Sequence, residues 1–122
     1  MWIIYIITDE HGRLKIGITV DVWPRLRRLQ IGSADLLTLA CFFVIGPWKV
    51  ARALEKAVHE RLGKHKVRGE WFRVSVRTAA RVIRQVAAEM GVAVAKVPVV
   101  SPRLAKPAKT VIPAKPRRRR AA

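Results

Sequence analysis

The sequence predicts a mixed α/β (α+β) domain, a small sheet with an N-terminal β-hairpin and about three flanking helices, followed by a disordered basic tail. Three observations carry that prediction. Two isoleucine-rich runs, 3–7 and 14–18, flank the turn Asp9-Glu10-His11-Gly12-Arg13. Three later stretches space their apolar residues as helices do, and from residue 96 the chain becomes proline and base. At 122 residues there is room for one modest core and not for two.

Residues 2–8 and 14–19 read as antiparallel strands, because β-branched residues crowd both and His11-Gly12 supplies the turn. Pairing would bring Tyr5 near Lys15. Asp21 is the expected N-cap of a helix that tolerates Pro24 in its first turn and ends near Ile31-Gly32. Leu36 to Ile45 is expected to be a central strand buried on both faces, although periodicity alone leaves a helix open there. Gly46-Pro47 opens a helix to about Leu62-Gly63, with Val50, Leu54, Ala57, Val58 and Leu62 on its apolar stripe. Lys64 to Arg68 is a basic connection and Trp71 to Val74 a short strand. Ser75 caps a last helix through Met90, whose apolar face includes Ala79, Ala80, Ile83, Val86 and Ala87 and whose stop is Gly91.

This organisation gives a folded domain over residues 1–95 and a tail over 96–122. The tail holds five of the seven prolines, nine basic residues and no acid, and it ends in Arg117-Arg118-Arg119-Arg120. Such a composition cannot bury enough apolar surface to fold. The whole chain carries 25 Lys and Arg against 8 Asp and Glu, a net charge of +17, of which +8 stays on the domain. That field favours a polyanion, since each phosphate neutralised releases condensed counterions. DNA is the expected partner, RNA is a further candidate, and a membrane is not expected. The lone Cys41 lies in an apolar run and reads as a buried small hydrophobe suited to a reducing compartment. The N-terminus lacks the basic start and cleavage site of a signal peptide, so the expected location is the cytoplasm of a bacterial or phage-infected cell.

Five elements stand in order along the domain: Tyr5 on the first strand, Lys15-Ile16-Gly17 on the second, Arg25 on the next helix, Glu55 and His59 four apart on a later helix, and Gly69-Glu70-Trp71-Phe72. Over roughly residues 2–75 this set resembles the GIY-YIG nuclease superfamily, in particular its small phage and bacterial branch with a Lys-Ile-Gly half-motif and a closing Gly-Glu-Trp-Phe. The resemblance implies a metal-dependent DNA endonuclease that hydrolyses phosphodiester bonds. In it Tyr5 and Arg25 flank the scissile phosphate, Glu55 binds Mg²⁺ or Mn²⁺, and His59 orients a water or supports the metal. The noncatalytic alternative is a nucleic-acid-binding protein on the same fold.

The residues also bear a direct chemical reading. Phosphodiester hydrolysis needs a deprotonated water and stabilised charge on the phosphoryl group. Arg25 offers a rigid fork to phosphate, and Glu55 shares a helix face with His59. Lys15 stands where most of the superfamily has its second tyrosine. An ammonium beside the Tyr5 hydroxyl would stabilise the phenolate: at about 4 Å and an effective dielectric of about 20 the attraction is about 4 kcal/mol, roughly three pK units. The expectation is therefore a Tyr5 base that titrates close to neutrality. Arg27, Arg28, Lys64, Lys66 and Arg68, with Arg117 to Arg120, are the expected nucleic-acid contacts. Glu70 is expected to brace a basic residue, and Thr19 offers its hydroxyl to phosphate or backbone. Trp71, Phe72, Trp2, Trp23 and Trp48 are expected to pack in the core. Leu29 stands where many superfamily members carry His or Tyr, and the chain has no asparagine.

Overall fold

The computed structural model describes residues 1–99. Its centre is a six-stranded antiparallel sheet in the order β4-β5-β2-β1-β3-β6, with strands β1 (Trp2–Thr8), β2 (Leu14–Thr19), β3 (Thr38–Gly46), β4 (Lys66–Arg68), β5 (Trp71–Phe72) and β6 (Ala95–Pro98). Three helices, α1 (Val22–Ile31), α2 (Trp48–Arg61) and α3 (Val76–Glu89), complete the α+β fold that the sequence predicts. No helix among the described residues is long and apolar enough to cross a membrane.

The β1–β2 hairpin forms in the register that pairs Tyr5 with Gly17 and Ile7 with Lys15. Gly12 turns the chain at φ +78, a conformation that a side chain would strain. The Asp9 carboxylate fixes the same turn by accepting the backbone N–H groups of His11 and Arg13 at 2.8 and 2.9 Å. Asp21 caps α1, its carboxylate accepting the N–H of Trp23, and Ser75 caps α3 by accepting from Thr78. β3 alternates buried residues, Leu39, Cys41 and Phe43, with half-buried ones such as Ala40, Phe42 and Val44, so it is less fully buried than expected, and it starts at Thr38, two residues later than the apolar run.

Alternation along the strands sorts the core into two layers. On one face Ile4, Ile6, Leu14, Ile16, Cys41 and Phe43 pack against α2 and α3. On the other Ile3, Tyr5, Ile7 and Leu39 pack against Val22 and Leu26 of α1. Cys41 is buried as expected, and burial pushes its thiol pKa up.

Several expectations change here. Residues 66–68, read as a connection, form β4 with exposed side chains, and β6 carries the ordered chain to Pro98, beyond the compositional boundary at residue 95. Both are edge strands held by main-chain pairing, which leaves no apolar signature. Trp23 and Trp48 are 44 and 46 % exposed rather than packed, and Arg52 covers the Trp48 ring at 5.6 Å. The expected disorder of the tail and the contacts of Arg117 to Arg120 lie outside the described residues.

Candidate active site

The sheet leaves a notch on its β5 side. β5 pairs with β2 only at Leu14 and Lys15, and one further bond runs from the Ile16 N–H to the Glu70 carbonyl at 3.2 Å. The Ile16 carbonyl is met instead by His59, whose Nε2 lies 2.8 Å away. A carbonyl only accepts, so this nitrogen carries the proton in the neutral ring, and Nδ1 is left as the basic nitrogen. The imidazole also packs against Phe72, with ring centroids 5.0 Å apart.

Tyr5 crosses this notch from the neighbouring strand. Its ring lies directly over Gly17: a Cβ there would fall 2.7 Å from Tyr5 Cζ and 3.1 Å from Glu70 Oε1, and closer still to the hydroxyl. Glycine is therefore the residue that allows a fully buried tyrosine to reach the rim. Gly69, at φ +55, makes the tight turn between β4 and β5 that delivers Glu70 to the same place. Glu55 and His59 come from α2 on the opposite face, one helical turn apart, and border a shallow depression of about 390 Å³ with Arg52, Lys66 and Glu70. Of the residues singled out in the sequence, Glu55 and His59 border this depression, and Tyr5, Lys15 and Arg25 are linked to it by charge: Arg25 and Glu55 act on Tyr5, and His59 and Lys15 act on Glu55.

Electrostatics within the cluster differ from the sequence expectation. Lys15 does not pair with the phenol. Its Nζ lies 3.0 Å from Glu70 Oε1, and that carboxylate neutralises the charge on which the phenolate depended. Burial, and then Glu70, push the Tyr5 pKa from its ordinary 10.0 up to about 12, against the opposing pull of Arg25. Tyr5 is a protonated phenol at neutral pH, and the expected near-neutral base is corrected to a hydroxyl donor. Burial, and then Glu70, also hold the Glu55 carboxyl above the usual carboxylate range, with His59, Arg52 and Lys15 offsetting part of the shift.

Arg25 shows the plainest unmet need. Its Nε is buried and has no hydrogen-bond partner among the described residues, and a buried donor left unpaired costs about 1–3 kcal/mol or more when charged. Thr19, by contrast, spends its hydroxyl on the backbone of Asp21 at the start of α1. Arg27, Arg28, Lys64, Lys66 and Arg68 are all exposed, and none is in an ion pair among the described residues. The sequence assigned Glu70 only a bracing part, which it fulfils with Lys15. Its place beside Tyr5 and Glu55 was missed, although it is the one acid between Glu60 and Glu89.

A metal would find a limited donor set at this rim. The close group of three metal-capable ligands among the described residues lies elsewhere, at Asp9, His11 and Asp35. There Arg13 already pairs with both carboxylates, at 2.6 and 3.3 Å. The rim instead offers Glu55 with Glu70 near enough to raise its pKa. One or two carboxylates completed by water suit Mg²⁺ or Mn²⁺ and do not suit a metal that needs a full protein cage.

A family model, the T5orf172 domain, matches residues 2–87. No curated protein matches the chain, and no solved structure does. The match spans more than half of the sequence, so the chain belongs to the T5orf172 domain family. This corrects the assignment drawn from short motifs: the matching family is T5orf172 and not GIY-YIG. The family has nuclease-like and DNA-binding associations, and the role of the chain is nucleic-acid-related in that broad sense.

Proposed function

We propose that this T5orf172-domain chain is a metal-dependent DNA endonuclease whose phosphodiester substrate seats at the notch beside β2. The carrying observation is Arg25, a half-buried arginine whose buried Nε has no partner among the described residues and whose charge acts on the Tyr5 phenol, as do those of Glu70 and Glu55. A phosphate diester supplies the anionic acceptor that this donor lacks. The exposed basic residues on either side, Arg27, Lys64 and Lys66 among them, suit the flanking phosphates and make binding strongly salt-dependent.

In this reading Glu55, with Glu70 beside it, holds Mg²⁺ or Mn²⁺. The ion, when bound, neutralises phosphoryl charge and lowers the pKa of water. The chain's own residues do the rest. Arg25 orients the phosphate through two parallel N–H donors. Tyr5, locked by Gly17 and protonated, donates a hydrogen bond to an oxygen of the reacting group. His59, its Nε2–H tied to the Ile16 carbonyl, holds a free Nδ1 that can take the proton from water. Lys15 keeps Glu70 in place through their ion pair.

The second reading, a noncatalytic nucleic-acid-binding protein, is favoured by one observation, the high pKa of Tyr5, which removes the strongest base of the cluster. Supercoiled plasmid separates the two. Wild type with Mg²⁺ or Mn²⁺ is expected to nick it, while EDTA-treated wild type and Glu55→Ala are expected to retard it without cutting. Cleavage retained by Glu55→Ala removes Glu55 from the mechanism. Retardation without cutting in all three hands the function to the binding reading.

A further inference from the structure

A second cavity, about 460 Å³, opens on the α1 face between the end of that helix and the β4–β5 hairpin. Arg28 lines it from α1, and Arg68 and Trp71 line it from the hairpin. Two carboxylates in the lining, Asp9 and Asp35, share the one guanidinium of Arg13, which offsets half of their charge. Arg28 and Arg68 have no such partner among the described residues. Three arginines against two carboxylates leave the lining with a net positive charge.

Trp71 joins this cavity to the rim. Lys15 Nζ lies 5.7 Å from its ring centroid, and the same ammonium is the one paired with Glu70. The cavity therefore begins one side chain away from the notch. Its volume falls within the range of small-ligand sites, about 300–1,000 Å³. Its two free guanidinium groups and one aromatic wall match the two chemical parts of a nucleotide, an anionic phosphate and a flat base.

We propose that this cavity is a subsite for one unstacked nucleotide next to the phosphate held at the notch, with Arg28 and Arg68 on its phosphate and Trp71 against its base. The position next to a reacting phosphate rests on the nuclease reading; the capture of a nucleotide does not. A base must leave its stack to enter, so single-stranded or frayed DNA is bound in preference to intact duplex.

The test uses the full chain in EDTA with a short single-stranded oligonucleotide carrying 5-bromodeoxyuridine, irradiated and mapped by mass spectrometry. The expected adduct is on Trp71. Its yield is expected to fall on the order of tenfold or more in Arg28→Ala/Arg68→Ala, the loss of two charge-assisted hydrogen bonds. Arg77→Ala/Arg81→Ala removes the same charge from exposed positions of α3 and is expected to cause a clearly smaller drop. Adducts confined to Trp23 or Trp48, or equal losses in the two double variants, would overturn the subsite. Plasmid nicking without Trp71 labelling leaves the nuclease reading standing and removes the subsite, while labelling in a chain that never cuts does the reverse.

Discussion

Under α2 and α3 the sheet is covered by side chains with almost no polar atoms: Ile4, Ile6, Ile16, Phe43, Leu54, Val58, Phe72 and Ile83 are all completely buried. Under α1 the same strands present a thinner layer, Ile3, Tyr5, Ile7 and Leu39, against Val22 and Leu26 of the helix, and an open cavity lies at its edge. One helix cannot cover a six-stranded sheet, so part of that face stays within reach of water and ligand. Charged groups persist there because they can be solvated or paired, whereas the same groups between α2, α3 and the sheet would each cost several kcal/mol. Stability is concentrated on one face, and chemistry occupies the rim where the other face runs out. Only Glu55 and His59 cross over, from the margin of α2.

The contrast makes a direct demand on stability. Leu54→Ala, at the centre of the thick face, is expected to cost about 2–5 kcal/mol in urea unfolding. Leu26→Ala on α1 removes the same atoms from a smaller cluster with more room to relax, and it is expected to cost less. A loss at Leu26 equal to that at Leu54 would mean that the two faces bear the fold alike, and the comparison would fail.

Gly17 probes the thin face at its most crowded point. Gly17→Ala forces the Tyr5 ring off β2 and is expected to cost about 1–3 kcal/mol through overpacking. The chain has one tyrosine, so its ionisation can be followed directly by ultraviolet absorbance. In wild type the phenol should resist ionisation up to about 12. The unfolded chain ionises nearer its ordinary 10.0, so the fold loses stability as pH rises from that value through the folded one. In Gly17→Ala the displaced ring should titrate closer to 10. A wild-type phenol that titrates near neutrality would restore Tyr5 as the base.

Much of the thick face was legible in the sequence, since its helices announce themselves by spacing and by the Ser75 cap. The β1–β2 hairpin and the Asp21 cap were equally plain. What escaped notice depends on partners distant in sequence. β4 and β6 are held by main-chain pairing with exposed side chains, so no apolar pattern marks them. Burial of the Tyr5 ring, and then Glu70, which pairs with Lys15 from 55 positions along the chain, reversed the expected ionisation of Tyr5. The motifs did pick out residues whose charges act on one another, Arg25 and Glu55 on Tyr5 and His59 and Lys15 on Glu55. Family identity needed more than motifs a few residues long, and it was settled by a match across residues 2–87.

Polar contacts on the thin side do some of what apolar area does on the other. The Asp9 side chain is only 3 % exposed and takes two backbone N–H groups and the Arg13 guanidinium. Burial alone would raise its carboxyl pKa, but the N–H groups of Arg13 and His11 and the Arg13 side chain outweigh it and hold the pKa below the usual value. A depressed folded pKa adds stability that is present above the unfolded value and is lost as pH falls through the folded one. Asp9→Asn keeps the shape and removes the charge, so it is expected to cost about 0.5–1.5 kcal/mol near pH 7, the scale of one hydrogen bond. The difference from wild type should close as the medium is acidified below the folded pKa of Asp9. Urea midpoints at pH 7 and at successive steps of pH below the ordinary 3.8 measure it. A gap unchanged by acid would mean that Asp9 holds the hairpin by shape alone, leaving charge with no part in securing the thin face at this turn.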